Sequence, residues 1–252
     1  MSEMPPITLD EMGKIRLMNR TDTKFLTNKM GLLKVLEQAK NDYYVQEIDG
    51  KRIAHYRTTY WDFDEHGFYV MHQNGHKPRM KVRVRTYEDS NGLTFLEIKR
   101  KDNHGKTKKK RTEVKSQTEI TESGGDEYLM KHTGIDLNDL HPCLQNYFKR
   151  ITLVNKGMTE RLTIDFDIEY TNFETQVKTD SDNLVIIELK RDGMVYSPIK
   201  QILTELHIHP SGYSKYIIGS CTTNPSLKRN LLKKRLVYIN KINRQKELIT
   251  GN

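Results

Sequence analysis

Cysteine, tryptophan and long apolar runs are scarce in this chain, and each shortage excludes a class of protein. Its 252 residues include two Cys and one Trp, and 35% of the residues are hydrophobic. Cys143 and Cys221 stand alone in dissimilar contexts, which excludes a disulfide framework or a thiolate metal site and predicts two buried thiols. No apolar run approaches the roughly 20 residues that a membrane-spanning helix needs. The composition therefore predicts a soluble protein.

Targeting signals and linkers are also missing from the sequence. The first residues, MSEMPPITLDEMGK, contain neither the basic block nor the apolar block of a secretory signal, so a cytoplasmic location is expected. There is no internal repeat and no low-complexity linker. The length suits one large domain or two small ones, and we expect a single domain over residues 1–252.

Positive charge is what the chain has in excess, and one stretch holds most of it. The formal net charge is +9 and the pI is near 9.3. Residues 79–111 contain twelve Lys or Arg against four Asp or Glu. Such a balance suggests a polyanionic partner: nucleic acid, an anionic membrane or a phosphate-rich small molecule.

Charge within this stretch alternates with other residues at the period of a β-strand. In residues 81–85, one Lys and two Arg point to one face, and two Val point to the other. The residues that share this spacing of two are Lys81, Arg83, Arg85, Glu97, Lys99, Lys101, Lys109 and Arg111. Three successive strands are therefore predicted to present cations on one face, and such a face favours an anion.

Further strands and several helices are predicted outside this stretch. The predicted strands are 18–27, 43–48, 52–63, 161–170 and 183–192, with a hairpin turn at Asp49-Gly50. Along 161–170 the alternation has no break and assigns Arg161, Thr163, Asp165, Asp167 and Glu169 to one face. Helices are predicted after the cap residue Asn28, in interrupted form within 119–140, and at 198–207 and 226–246.

About eight mostly antiparallel strands with charge on one face fit two architectures. An open sheet would turn its charged face to water and its apolar face to a core. A closed barrel with the polar face inside would gather the cations and a few carboxylates into an anion channel. The acid-x-base pairs are Glu97/Lys99, Glu188/Lys190 and Asp22/Lys24. The pattern by itself supports the two architectures about equally.

The order and spacing of nine segments resemble the VTC-type polyphosphate polymerase domain of the triphosphate tunnel metalloenzyme, or CYTH-like, superfamily. From Arg20 to about Lys215, these segments are RTDTKF, TTYWDFD, KVRVR, FLEIKRK, KKKR, YFKR, RLTIDF, VIIELK and YSKY. The resemblance implies an α+β fold in which eight antiparallel strands form a barrel-shaped tunnel with helices packed outside. Along its basic lumen, such a tunnel binds a triphosphate or polyphosphate chain.

The same resemblance implies the residues of the site. The candidate catalytic cations are Lys24, Arg83, Arg85, Lys99, Arg161 and Lys215. Further phosphate-binding candidates are Lys109, Arg111, Arg150, Lys190 and Ser214. Glu188 matches the metal-binding carboxylate, which suits Mn²⁺ or Mg²⁺ because hard cations prefer oxygen ligands. Arg can grip two phosphate oxygens at once, whereas Lys supplies a compact charge.

The activity implied by the resemblance is metal-dependent transfer of the terminal phosphate of ATP to a growing polyphosphate chain. Asp22 departs from the Glu that many tunnel enzymes use on the first strand, and RTDTK lacks the doubled glutamate of the hydrolytic members, so hydrolysis is less favoured. A tunnel triphosphatase and a noncatalytic polyanion-binding module remain alternatives. Binding of nucleic acid is not favoured, since Val82 and Val84 rather than aromatic residues separate the cations. Without a membrane span, export of the product would need a membrane-protein partner.

Several other motifs indicate structure rather than chemistry. HGKT at 104–107 lacks the preceding Gly and the following helix of a phosphate-binding loop. His72 and His76 have no acidic third ligand, so packed or surface histidines are favoured over a metal site. Lys106, Lys108 and Lys110 are expected on a solvated outer face. The C-terminal helix is predicted to pack on the sheet through an apolar stripe of Leu231, Leu232, Leu236 and Ile239.

Overall fold

The computed structural model describes residues 1–13, 15, 20–193 and 195–245. Its strands are β1 (Pro6–Ile7), β2 (Arg20–Asn28), β3 (Tyr43–Gln46), β4 (Ala54–Asp62), β5 (Arg79–Tyr87), β6 (Leu93–Lys101), β7 (Thr107–Val114), β8 (His141–Asn155), β9 (Glu160–Asn172), β10 (Lys178–Ser181) and β11 (Leu184–Asp192). Its helices are α1 (Leu9–Gly13), α2 (Lys29–Ala39), α3 (Gly67–Gln73), α4 (Gly125–Thr133), α5 (Pro198–Glu205), α6 (Lys215–Thr223) and α7 (Lys233–Arg244). The fold is therefore α+β, as predicted.

Eight of the strands follow one path through a single sheet, in the order β2-β11-β9-β8-β4-β5-β6-β7. All neighbours on this path are antiparallel, whereas β1 and β3, also in the described part of the sheet, pair in parallel. Among the described residues, the end strands β2 and β7 do not pair with each other. The free edge of β2 is partly covered instead, because Phe25 bridges to Pro210 and Ser211 N donates to Lys24 O. The described sheet is therefore open between β2 and β7 and differs in this respect from the closed barrel that was expected.

The sheet is strongly curved, and its inner face carries the predicted cations. In a flat sheet β6 and β11, five strands apart, would be separated by about 24 Å. The Glu188 carboxylate on β11 nevertheless acts on the pKa of Lys99 on β6. At the start of α6, Ser214 accepts from Lys81 on β5, while its neighbour Lys215 contacts Asp165 on β9. Residues from distant strands therefore converge on one concave surface, which we call the inner face.

Apolar side chains pack on both sides of the sheet. On the outer side, Val185, Ile187 and Leu189 of β11 pack with Val35 of α2 and Ile199 of α5. A second cluster holds α6 against the inner side at one end of the sheet. It contains Tyr60, Leu144, Tyr170, Tyr216 and Ile217. A Cβ added at Gly219 would lie 2.4 Å from the Tyr170 ring, so only glycine allows this close approach of α6 to the sheet.

The predicted alternation of residues 161–170 is wrong after Asp165, because β9 contains a β-bulge. The register between β8 and β9 shifts between Tyr147 and Lys149, and Asp167 has a φ of 48°. One extra residue reverses the faces that follow it. Arg161, Thr163 and Asp165 lie on the inner face as predicted, but Asp167 and Glu169 do not. Ile168 and Tyr170 take that face instead and join the apolar cluster under α6.

Several predicted elements are confirmed, with changes at their ends. Asn28 caps α2 by accepting from Gly31 N. Within the predicted interrupted helix 119–140, α4 is flanked by short 3₁₀ helices at Thr121–Ser123 and Leu137–Asp139. Asp49 and Gly50 form the predicted turn, with φ angles of 48° and 74°, but beyond the single bridge Ile48 to Lys51 the flanking strands do not pair. The predicted residues 18 and 19 of the first strand and residue 246 of the last helix lie outside the described residues.

Six elements were missed, namely β1, α1, α3, β8, β10 and α6. The longest strand, β8, was not predicted as a strand, because Pro142 and scattered polar residues obscure its pattern. Neither α3 nor α6 was predicted, although the Ser214 side chain accepts from Ile217 N and so caps α6. Both Cys143 and Cys221 are buried and free, as predicted.

The C-terminal helix packs on the sheet, as predicted, but its apolar stripe differs. Leu232, Ile239 and Ile242 are buried, whereas Leu231 is 69% exposed. Both leucines precede α7, in the short 3₁₀ helix Asn230–Leu232. Helical spacing therefore does not extend back to Leu231. Within the described residues, none of the helices is long and apolar enough to span a membrane.

Candidate functional site

The predicted site residues lie on the inner face of the sheet and at the start of α6. Register places Lys24 opposite Glu188, Lys190 opposite Arg161, and Arg150 opposite Asp165. On the other half of the path, Arg83 is opposite Glu97, which is in turn opposite Arg111. Lys99 is opposite Lys109. Ser214 and Lys215 reach this face from the N-terminus of α6. The strands and α6 thus bring all twelve predicted residues to one concave surface.

Three carboxylates organise the cations of this surface, and each of them bridges two cations. The first is Glu97 on β6, whose side chain is 1% exposed. It accepts from Arg83 Nε at 2.7 Å and Nη2 at 2.6 Å and also contacts Lys109 Nζ. Burial opposes ionisation, but Arg83, Arg85 and Lys109 outweigh it and hold the pKa of Glu97 well below its usual range. This carboxylate is therefore charged.

Asp165 on β9 is the second bridging carboxylate. Arg150 donates to it in bidentate fashion, with Nε at 2.6 Å from Oδ1 and Nη2 at 2.8 Å from Oδ2. Lys215 Nζ also contacts Oδ2. Although Asp165 is buried, Arg150 and Lys215 hold its pKa well below the usual range. This pairing fixes the positions of two predicted phosphate-binding cations.

The pKa of Lys215 is set by opposing influences. Its ammonium lies 3.9 Å from the centroid of the Phe148 ring, close enough for a cation–π interaction. Burial is the largest influence on its pKa, and Arg150 and Arg85 add to this effect. Asp165 opposes them, and the result is a pKa of about 8. A fraction of Lys215 therefore changes charge near neutral pH.

Glu188 on β11 is the third bridging carboxylate and the predicted metal ligand. Its Oε2 lies 2.6 Å from Lys24 Nζ, and its Oε1 lies 3.1 Å from Lys190 Nζ. Against the effect of burial, these two lysines lower the pKa of Glu188 well below its usual range. In this arrangement both carboxylate oxygens already hold a cation.

Other inner-face cations have no carboxylate among the contacts just described. Arg85 is 8% exposed, donates to Thr58 Oγ1 at 3.1 Å and lies over the Tyr56 and Phe148 rings. Lys99 opens to solvent, and partial burial together with Arg83 lowers its pKa to about 8. Arg111 lies at the rim, with its guanidinium 4.5 Å from the centroid of the Phe95 ring.

Sequence reasoning left Glu97, Asp165 and Lys81 out of the site. Lys81 on β5 donates to Ser214 Oγ at 2.9 Å, and burial with the charge of Lys99 lowers its pKa far below the usual range. Strand alternation placed all three on the charged face. The signal was present, but a motif match cannot show that a carboxylate lies between two cations. That information requires register.

Other motifs behave largely as predicted. Gly105 of HGKT lies in the turn between β6 and β7, with a φ of 83°, and no helix follows it. His72 is on α3, whereas His76 lies beyond the end of that helix, so the two do not share a helical face. Lys106, Lys108 and Lys110 are exposed, and Lys110 contacts His132.

Known protein structures share this fold. A proposed adenylate cyclase from Bacillus halodurans has a TM-score of 0.52 and 14% identity, covering 80% of this chain and 98% of that chain. A proposed adenylyl cyclase from Hippeastrum, described as having a dominant triphosphatase activity, has a TM-score of 0.50 and 12% identity, covering 82% of this chain and 97% of that chain. At these identities the likeness shows the fold alone. No curated protein matches the chain.

The family is shown by the sequence match rather than by these structures. The model of the VTC domain matches residues 19–224, which begin just before β2 and end just after α6. This range contains the eight strands of the main path and every residue of the three carboxylate bridges. The chain therefore belongs to the VTC domain family.

Proposed function

We propose that this chain is a metal-dependent polyphosphate polymerase that transfers the terminal phosphate of ATP to an inorganic polyphosphate chain. The observation that carries the proposal is the inner face itself. On it, cations from seven strands and from α6 form a continuous surface, and six of them are held in place by the bridging carboxylates. A surface of this extent suits a polymer of phosphates better than a single phosphate group.

The tunnel shape is part of this proposal. The curvature of the sheet and the cover of the β2 edge by residues 210 and 211 support a lumen. Within such a lumen the low dielectric would strengthen every contact between a cation and a phosphate. The walls would also keep donor and acceptor phosphates aligned.

The reaction would proceed in line, without a covalent intermediate on the protein. A terminal oxygen of the polyphosphate chain attacks the γ-phosphorus of ATP, the bond between the γ-phosphorus and the bridging oxygen breaks, and ADP leaves with that oxygen. Arg83, Arg85 and Arg150 would grip phosphate oxygens and neutralise the growing charge. Lys215, at the start of α6, would hold the transferred group between donor and acceptor.

The residues present fit a metal ion that the phosphates help to hold. Mg²⁺ is commonly bound by one or two carboxylates together with substrate phosphates. Glu188 would be one such ligand, and Asp22 lies next to it on β2, opposite Lys190. Within the described residues there is no group of three His, Cys, Asp or Glu that could hold a metal without the substrate. Bound Mn²⁺ or Mg²⁺ would supply charge neutralisation on the phosphoryl group.

Glu188→Gln tests this assignment. A carboxamide is uncharged and cannot hold a hard cation well, so we expect most of the metal-dependent turnover to disappear while the fold persists. The rate is measured as a function of Mn²⁺ concentration, and circular dichroism monitors the fold. A folded variant with the wild-type rate and metal dependence would remove Glu188 from the metal site.

The experiment that tests the activity is a product analysis. Purified protein is incubated with ATP, Mn²⁺ and a short polyphosphate primer, and the products are separated on a gel. We expect ADP and a polymer longer than the primer, and we expect Lys215→Ala to abolish the polymer. Asp22 is one methylene shorter than Glu, which makes it a poor base for activating water and favours transfer over hydrolysis.

The alternative functions give different products. ADP and orthophosphate in equal amounts, with no polymer under any metal or primer, would show a triphosphatase instead. Binding of polyphosphate without any consumption of ATP would show a noncatalytic polyanion-binding module. A soluble enzyme of this kind would need a membrane-protein partner to export its product.

A further inference from the structure

Two groups of inner-face cations differ in their partners. Six cations at the centre contact Glu97, Asp165 or Glu188. A second group lies at the end of the inner face where β5 begins and β6 ends. It consists of Arg79, Lys81, Lys101 and Arg235, which we call the mouth cluster. Within the part of the chain that the structure describes, none of these four forms an ion pair with a carboxylate.

Register and the C-terminal helix bring the mouth cluster together. Arg79 and Lys101 are directly opposite each other on β5 and β6, and Lys81 follows on the same face. Lys81 Nζ is 2.9 Å from Ser214 Oγ. A Cβ added at Gly212, two residues before Ser214, would lie 3.2 Å from Arg235 Nη2. The loop before α6 thus places the α7 arginine beside the strand cations.

The pKa of His72 on α3 is affected by the positive charge of the mouth cluster. Burial lowers its pKa first, and Lys81, Arg79, Arg235 and Lys101 lower it further, to about 2. The charges that act most strongly on this ring are therefore all positive. Its Nδ1 atom is buried and has no hydrogen-bond partner.

In this region the positive charge of four basic side chains is not neutralised by a carboxylate of the described residues. Like charges at short range repel one another, and partial burial strengthens that repulsion. Exposed cations are usually stabilised by water, as are Arg100 and Lys108 on the outer face of β6 and β7. Arg79, Lys81 and Lys101, by contrast, are half-buried and face inward. A polyanion that entered the inner face would supply the missing charge.

We propose that the mouth cluster is a second binding position for a polyphosphate chain, which contacts phosphates beyond those held at the centre. The proposal rests on the proposed function and deepens it by assigning the end of the inner face through which the chain extends. Arg79 lies four residues from Arg83 along β5, a distance of about 13 Å. A short ligand held at the centre would leave the mouth cluster unused, whereas a long chain would reach both positions.

The test compares two ligands and two matched double variants. Arg79→Ala with Lys101→Ala removes a cross-strand Arg and Lys pair from the inner face. Arg100→Ala with Lys108→Ala removes a cross-strand Arg and Lys pair from the outer face of strands β6 and β7. Affinity for tripolyphosphate and for long-chain polyphosphate is measured by titration calorimetry at fixed salt. Melting temperatures confirm that each variant is folded, and Arg235→Ala provides an independent variant on α7.

We expect the inner-face pair to weaken binding of long-chain polyphosphate about tenfold, with tripolyphosphate nearly unaffected. The outer-face pair should change neither affinity by more than about twofold. The mouth cluster would be rejected as a binding position by any of three results. These are an equal loss of affinity for both ligands, no loss of affinity for the long chain, or the same loss of affinity in the outer-face variant. Failure of the wild-type protein to bind tripolyphosphate would instead overturn the proposed function.

Discussion

Asp165 and Asp167 are two residues apart on β9, yet they work in opposite environments. Asp165 lies on the inner face with a 6% exposed side chain and bridges Arg150 and Lys215. Asp167 lies outside with a 24% exposed side chain and bridges Lys29 and Lys149 at 2.8 and 3.0 Å. Each carboxylate has two cationic partners. The difference between them is the bulge, which turns the strand over at Asp167.

This contrast shows how one backbone irregularity separates the site from the surface. Without the bulge, Asp167 and Glu169 would add two negative charges to a face built for anions. With it, Ile168 and Tyr170 face inward and provide the apolar floor on which α6 packs. The position of Lys215, the first residue of α6, therefore depends on a backbone irregularity in β9, the strand that also carries its partner Asp165.

The strongest test of the contrast is to neutralise each aspartate in turn. Asp165→Asn leaves Arg150 and Lys215 buried without their anion, which should lower the free energy of unfolding by about 3–5 kcal/mol. Asp167→Asn breaks a partly exposed bridge and should cost about 1 kcal/mol or less. Urea denaturation measures both. Equal losses would mean that the two carboxylates have the same burial, contrary to the bulge.

The sequence predicted which residues lie on the inner face better than it predicted the β-bulge and the strand register that arrange them. Residues 81–85 alternate strictly and residues 97–101 do so except at Arg100, and both strands are regular, so their inner-face cations were assigned to the correct face. The residues after Asp165 were assigned wrongly, since a bulge adds one residue without leaving a mark in the alternation. The pairing of Glu97 with Arg83 and Lys109 depends on the register of three strands. Local sequence contains no information on that register.

The effect of a ligand on the melting temperature can distinguish the central cations from those on the outer face. A ligand that binds only the folded state raises its stability, by about 2.7 kcal/mol when its concentration is a hundred times Kd. Tripolyphosphate should therefore raise the melting temperature of the wild-type protein more than orthophosphate does. Arg83→Ala with Arg85→Ala should remove this rise.

The outer-face pair Arg100 and Lys108 serves as the control for this experiment. Its double alanine variant carries the same loss of charge, yet it should keep the full response to tripolyphosphate. If the inner and outer variants respond alike, the ligand senses the net charge of the protein and not a site.

Titration of Lys215 should change the free energy of unfolding and the affinity for anions in opposite directions as pH rises. Its pKa in the folded protein is about 8, below the ordinary value of 10.5. Between these values the unfolded chain holds more protons on this residue, so its contribution to the free energy of unfolding rises with pH. Anion binding behaves in the opposite way, because Lys215 loses its charge as pH rises through about 8. The lost affinity approaches about tenfold per pH unit for one linked proton.

Lys215→Met isolates both effects, since other groups titrate in the same range. The difference in unfolding free energy between wild type and variant should change between pH 8 and 10.5, in the direction that favours the wild type at high pH. The difference in tripolyphosphate affinity should shrink over the same range. A constant difference in affinity would place Lys215 outside the anion site.

The smallest expected effect tests the bulge itself. Asp167 has a φ of 48°, a left-handed conformation that Asp and Asn tolerate but that a β-branched residue does not. Asp167→Asn and Asp167→Val both remove the charge and the bridge to Lys29 and Lys149, so their difference reports the backbone alone. We expect the Val variant to be less stable than the Asn variant by about 1–2 kcal/mol. Asp167→Gly, which permits the left-handed conformation, should be close to Asn. If Val is as stable as Asn, the strand has no bulge at Asp167, and Asp165 and Asp167 would share one face as simple alternation predicts.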